Sequence, residues 1–299
     1  MKRWQADLTL AFVALIWGST FVVVKNALDA VGPLTFVAVR FWLAALLLYV
    51  LFARRMRHLT RQEMWAGGLI GVWLMLGYSF QTIGLQTTTT AKAGFITGLS
   101  VVIVPVLATI LLRRPPDRGT VTGIVAATVG LGFLTLNEDL RVQSGDLWVM
   151  GCAFAFALHI ITVSRFSPQF DPVRLAVVQI QVVAVLAGIA ALIFEQPSLR
   201  LPLESWGAMI FTGVTATALA FGLQVYVQRF TTPTHTALIF SLEPVFAAFF
   251  GWWWAHERLG AKELIGCGLI LAGMIVAELG DGSQRQESKA ADIVLSESG

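Results

Sequence analysis

Apolar residues run through this chain in long blocks, and charged residues collect between them. Ten charge-poor stretches stand out, at about 6–27, 33–52, 65–86, 92–112, 118–136, 146–164, 174–194, 206–228, 234–254 and 262–279. Each holds about 20 residues, and at ~1.5 Å of rise per residue a helix of that length crosses a ~30 Å hydrocarbon layer. The pattern predicts an all-α polytopic membrane protein with ten transmembrane helices, five in each half. The connections are short and leave no room for a separate soluble domain.

The two halves also read alike. Residues 91–102 (AKAGFITGLSVV) have a counterpart at 234–245 (THTALIFSLEPV), 143 positions later. The same offset pairs Gln81 with Gln224, Leu76 with Leu219, Gly123 with Gly266 and Gly130 with Gly273. Nearer the N-terminus an offset of 139 pairs Pro33 with Pro172, Trp17 with Phe156, Ala14 with Ala153 and Leu47 with Leu186. Five is an odd number of spans, so the second copy has to insert upside down. The reading is therefore a first five-helix repeat at 1–139, an inverted second repeat at 140–280, and a polar, disordered cytoplasmic tail at 281–299. Inverted repeats in a membrane point to a transporter that alternates its access.

Composition agrees. The chain is 56% hydrophobic and only 13% charged, against ~25% charged in a soluble domain, and its mean hydropathy is +0.74. A pI near 9.1 raises the question of nucleic acid, but the placement of the charges answers it. With the N-terminus in the cytoplasm, fourteen Lys and Arg fall inside and six outside, leaving Arg40 within a span. That is the positive-inside bias, so no nucleic-acid partner is expected. The MKRW start followed by an apolar run is read as the first span and not as a signal peptide, because the run continues through Phe21-Val22-Val23-Val24 without a small-residue cleavage site. Cys152 and Cys267 sit in apolar spans and are read as free thiols.

Charged and polar side chains deep in a membrane cost several kcal/mol and face the bundle interior. Arg40 lies in the second span, and its repeat mate is Gln179. His159 lies in the sixth span, and Glu243 lies near the middle of the ninth, directly before Pro244. Pro105 and Pro244 lack a backbone donor and predict kinks near Val101 and Phe240. Arg40, Pro105, Glu243 and Pro244 are the candidates for gating and coupling. Gln81 and Gln224 are expected to line opposite mouths of one pathway. Trp17, Tyr78 and Phe95 would pack against the solute, and Ser100, His159 and Ser241 would offer it hydrogen bonds. Thr232-Pro233 reads as an N-cap with proline in the first turn. No nucleophile elbow, phosphate loop or zinc pattern is present, and the four histidines are scattered. The expectation is no enzyme activity, no cofactor and no metal.

Four blocks carry a family resemblance: ALIWGSTF at 14–21, AGFITGLSVVIVPVLA at 93–108, SLEPVFAAFFGWWWAHERL at 241–259 and LIGCGLILAGMIVAE at 264–278. They resemble the EamA branch of the drug/metabolite transporter superfamily, and the chain is most similar to its YddG-type aromatic amino acid exporters. The resemblance implies both termini in the cytoplasm, a bacterial-type inner membrane, and a central cavity lined mainly by helices 1, 3, 4, 6, 8 and 9. It implies export of a small metabolite, foremost an aromatic or apolar amino acid, with efflux of drugs or other metabolites as the alternative. Arg113-Arg114 stand where many members carry Gly-Glu, whereas His256-Glu257 are kept. The partners expected are the solute and the lipid bilayer; monomer and homodimer are both left open.

Overall fold

The computed structural model describes the chain except residues 29, 89, 114, 136–142, 199, 255–259 and 278–299. His256-Glu257 and the 281–299 tail thus lie outside the described residues. Everything regular in the described residues is helical. The first half contains α1 (Arg3–Leu28), α2 (Pro33–Met56), α3 (Arg61–Leu85), α4 (Thr90–Gly98), α5 (Ser100–Leu112) and α6 (Arg118–Thr135). The second contains α7 (Ser144–Phe166), α8 (Pro172–Phe194), α9 (Leu203–Thr212), α10 (Ala220–Val227), α11 (Pro233–Phe240) and α12 (Glu243–Trp254). Residues 261–277 form α13. Among the described residues, six helical segments are long and apolar enough to cross a membrane: Pro33–Met56, Arg61–Leu85, Ala93–Leu112, Ser144–Phe166, Pro172–Phe194 and Leu203–Phe230.

The helical stretches outnumber ten because some predicted spans are interrupted. Leu99 separates α4 from α5, and Ser241-Leu242 separates α11 from α12. At both places the backbone tightens into three-residue bonds, with Leu99 N–H on the Ile96 carbonyl at 3.2 Å and Leu242 N–H on the Ile239 carbonyl at 3.0 Å. The breaks thus fall within two residues of Val101 and Phe240, where kinks are expected, and not at the prolines themselves. Pro105 lies inside α5, and Pro244 sits in the first turn of α12, where a missing N–H costs nothing. Leu99 and Leu242 are 143 positions apart, so the breaks are equivalent although the prolines are not. The third interruption has no counterpart: Gly213–Leu219 form a π-helical segment between α9 and α10.

Helix ends are fixed by local chemistry. Thr60 and Glu63 form a capping box at the start of α3, and Asp171 caps α8 through the Val173 and Arg174 amides. Thr232 accepts from the His235 amide with Pro233 in the first turn, as its sequence predicts. Gly32 offers α2 no side-chain cap, and Glu195 from the end of α8 supplies one. Its carboxylate accepts from the Leu34 and Thr35 amides at 2.7 and 2.8 Å. The opposite end of the α2–α8 pair is tied by Arg174, whose Nε donates to the Arg55 carbonyl at 3.1 Å and whose Nη1 reaches across to Glu63 of α3 at 2.9 Å.

Glycines let the helices touch backbone to backbone. A Cβ at Gly18 would lie 2.7 Å from the Glu243 carbonyl, so α1 crosses the start of α12 without a spacer. A Cβ at Gly273 would lie 2.6 Å from the Gly123 carbonyl, and one at Gly130 would lie 2.7 Å from the Gly266 carbonyl. These two contacts are reciprocal. Gly266 is the mate of Gly123 and Gly273 the mate of Gly130, so exchanging the halves turns one contact into the other. A two-fold relation between halves produces that pattern, and in lipid, small residues are what permit such close approach.

Candidate functional site

A polar cluster in the interior is built around Arg40 of α2, which is only 4% exposed. Its Nε donates to Thr217 Oγ1 at 2.5 Å, and Nη2 donates to the Ala216 carbonyl at 3.2 Å and to Tyr78 Oη at 3.3 Å. The guanidinium also lies over the Tyr78 ring, 5.0 Å from its centroid, which adds a cation–π attraction. Ala216 and Thr217 belong to the π-helical segment, where the widened turn interrupts the regular ladder. The Ala216 carbonyl takes a second bond there, from Trp17 Nε1 at 2.9 Å. Thr217 in turn donates to the Thr212 carbonyl, five residues back. Helices α1 and α2 thus converge on one irregular turn of the second half, and α3 joins them through Tyr78 on Arg40.

An aromatic cluster surrounds that turn. Trp17 packs on Phe221 and Phe240 with ring centroids 5.2 and 5.0 Å apart. Tyr78 meets Phe41 and Phe156 edge-on. His159 faces Phe221 and pairs with Gln179, Nε2 to Oε1 at 2.9 Å. The Gln179 amide nitrogen is buried without a partner. Glu243 is partly buried at the start of α12. No cation among the described residues lies within ion-pair distance of it and none donates it a hydrogen bond.

The structure brings Trp17, Arg40, Tyr78, His159 and Glu243 into one neighbourhood, and it gives two other candidates, Ser241 and Gln224, partners within the protein. Ser241 is buried and donates to its own helix, to the Leu238 carbonyl at 2.6 Å, so its hydroxyl is spent on the break before α12. Gln224 does not line an open mouth; it is buried and donates to Gln228, which bonds the Ile160 carbonyl and Ser164. Gln81 is partly exposed and reaches Thr97 at 3.4 Å. Phe95 and Ser100 are partly exposed on α4 and at the start of α5. Pro105 is buried within α5, and Pro244 is partly buried in the first turn of α12. Sequence reasoning missed Thr217, Ala216 and Phe221. Only the run of small and threonine residues Gly213-Val214-Thr215-Ala216-Thr217 hinted at an irregular turn.

The equivalent helices α4 and α11 are packed differently. All eight residues of α11 are buried, whereas residues 94–98 of α4 are all partly exposed. Helix α11 packs broadly on α5, but α4 makes no contact of that extent with α12, the equivalent of α5 in the other half. A Cβ at Gly94 would meet nothing within 4 Å, while its mate Ala237 is buried. The α11 side also carries the His235–Asp7 pair at 3.6 Å.

The sequence profile of the EamA-like transporter family matches residues 4–136 and again residues 143–278. The chain belongs to the EamA-like transporter family. It is a multi-pass membrane protein of two repeats, and such a transporter has a small-molecule substrate and a lipid environment. Relatives of this EamA-like protein include an "Uncharacterized transporter" of Archaeoglobus fulgidus, 36% identical over 93% of this chain and 87% of that one. Another is the "Uncharacterized transporter YoaV" of Bacillus subtilis, 24% identical over 88% of this chain and 93% of that one. A protein of known crystal structure, 19% identical, superposes with a TM-score of 0.80 over 92% of this chain and 98% of its own, which shows a shared fold.

Proposed function

We propose that this protein is a secondary transporter of a bacterial-type inner membrane that exports small metabolites, foremost aromatic or apolar amino acids of the kind carried by YddG-type exporters. Its two inverted five-helix repeats, 1–139 and 140–280, alternate access by rocking, with both termini in the cytoplasm. The observation that carries this reading is the broken reciprocity of α4 and α11. Two equivalent helices, one sealed against its neighbour and the other standing apart, are what one half of a transport cycle requires. Under the positive-inside orientation, the sealed α11 end faces the cytoplasm and the α4 end faces outward. The equivalent breaks at Leu99 and Leu242 are the flexible points, and Arg40, Pro105, Glu243 and Pro244 lie close to them in chain or space. The aromatic cluster of Trp17 and Tyr78, with Phe95 beside the outer opening, supports a flat apolar side chain as cargo. Gln81 and Ser100 line the outer approach, and His159, Gln224 and Ser241 stabilise the inner one.

The test is flux. Purified protein in liposomes loaded with labelled phenylalanine, tyrosine or leucine should give saturable counterflow. Absence of counterflow together with extrusion of cationic dyes would replace the amino acid reading by drug efflux on the same fold.

A further inference from the structure

Charge is distributed unevenly between the repeats. Arg40 stands where the second half has Gln179, and Glu243 stands where the first half has Ser100. These two charge differences are far apart in sequence and come from opposite halves, yet one turn of α1 adjoins both: Trp17 shares the Ala216 carbonyl with Arg40, and a Cβ at Gly18 would lie 2.7 Å from the Glu243 carbonyl. They do not form an ion pair. No nitrogen of Arg40 is within 4.0 Å of a carboxylate among the described residues. Opposite charges in an apolar interior attract strongly and would close on each other if free to do so. Arg40 is held back by Thr217, the Ala216 carbonyl and Tyr78, and Glu243 is fixed at the start of α12 where Gly18 presses on its backbone. Nη1 of Arg40 is left without a hydrogen bond, and it is not among the fully buried atoms.

We propose that Arg40 and Glu243 are the two poles of a zwitterion receptor: Arg40 takes the carboxylate of the solute, Glu243 takes its ammonium group, and the ring cluster of Trp17 and Tyr78 packs its side chain. This inference rests on the amino acid reading above and narrows it. A guanidinium with one free amino edge donates to a carboxylate, and a carboxylate with unused lone pairs accepts from an ammonium; a solute with both charges on one carbon bridges the gap. Each charge of the protein is then neutralised only when the solute carries both. A cationic dye or an apolar neutral drug leaves Arg40 unanswered. The arrangement is directional as well, because the poles belong to different repeats and separate when the repeats move.

Competition against labelled phenylalanine counterflow in proteoliposomes tests this. The competitors share the ring and differ in charge: phenylalanine, phenethylamine with the ammonium alone, and 3-phenylpropionate with the carboxylate alone. In the wild type, each single-charge compound should compete at least about tenfold more weakly than phenylalanine, the scale of one charge-assisted bond. In Arg40→Gln the advantage of phenylalanine over phenethylamine should vanish, and in Glu243→Gln its advantage over 3-phenylpropionate should vanish. Thermal stabilisation of the purified wild type by the same three compounds gives a second readout that needs no variant. Equal competition by all three in the wild type, with phenylalanine still carried, would overturn the zwitterion receptor and leave the exporter standing. Absence of phenylalanine counterflow would overturn both.

Discussion

Helices α4 and α11 come from matching sequence, sit at matching places in the two halves and end at matching backbone breaks, yet one is buried on every side and the other is half open. The difference lies in their neighbours. Helix α11 is clasped between α1, α5 and α7, and the Gln224–Gln228–Ser164 chain and the Asp7–His235 pair close the same end. Helix α4 leans on α6 and α7 and leaves Gly94 facing empty space. Repeated sequence thus fixes the helix, and the state of the assembly fixes its burial. A symmetric molecule can be closed at one end and open at the other without strain in either helix, because the same contacts are available to both.

The largest effect on this contrast should come from bulk. Ala237→Phe forces a ring into the sealed end and should lower stability by about 1–3 kcal/mol. Gly94→Phe at the mate position should leave the thermal midpoint near wild type and abolish flux instead. Similar thermal losses in both variants would mean that the two ends are equally packed. Next comes accessibility. In a background with Cys152→Ala and Cys267→Ala, a cysteine introduced at Gly94 should react with a water-soluble maleimide at least about tenfold faster than one introduced at Ala237, because thiol reaction follows exposure. Equal rates would remove the contrast. A smaller effect is expected from Gln228→Leu, which leaves the Ile160 carbonyl and Ser164 without their donor. Stability should fall by about 1–2 kcal/mol, and labelling of the Ala237 cysteine should rise several-fold as the α11 end loosens.

The smallest effect concerns α6, on which α4 leans. Asp117 accepts from the Thr120 amide at 3.0 Å and from its hydroxyl at 2.5 Å. Burial pushes the Asp117 carboxyl up, but the bonds from Thr120 and neighbouring amides outweigh it and hold the group below its ordinary value. A depressed carboxyl stabilises the fold above the unfolded value of 3.8 and loses that contribution as pH falls through the folded one. Gly260, 143 positions later, has no side chain to do the same. Asp117→Ala should therefore cost about 1 kcal/mol at neutral pH, and wild type and variant should converge in strong acid. A gap that persists there would point to lost packing.

Much of the architecture was legible in the sequence because lipid enforces it: length and charge mark the helices, and Thr232-Pro233 marks a start. The repeat was legible for the same reason, since glycines such as Gly123 and Gly273 have to be small where backbones touch. The site was only partly legible. Arg40 and Glu243 stood out as candidates by their depth, but their proximity did not. It depends on contacts such as Arg40 with Thr217, 177 positions apart, and on a π turn at which the small residues of Gly213–Leu219 only hint. The internal partners of Ser241 and Gln224 were hidden for a related reason. A buried polar side chain takes the nearest partner, and its sequence cannot say whether that partner is a solute or a carbonyl one turn away.

The reciprocal glycine seam between α6 and α13 has a consequence for how such a chain could have arisen. Its contacts are made by backbone, not by complementary side chains, and each half brings the same two glycines. A seam of that kind is self-complementary: a single half-length chain could pair with an upside-down copy of itself using it unchanged. Joining the two copies in one gene adds nothing to that contact. What it adds is the freedom to let the copies diverge, and Arg40 opposite Gln179 and Glu243 opposite Ser100 are positions where a pair of identical subunits could never have carried different charges.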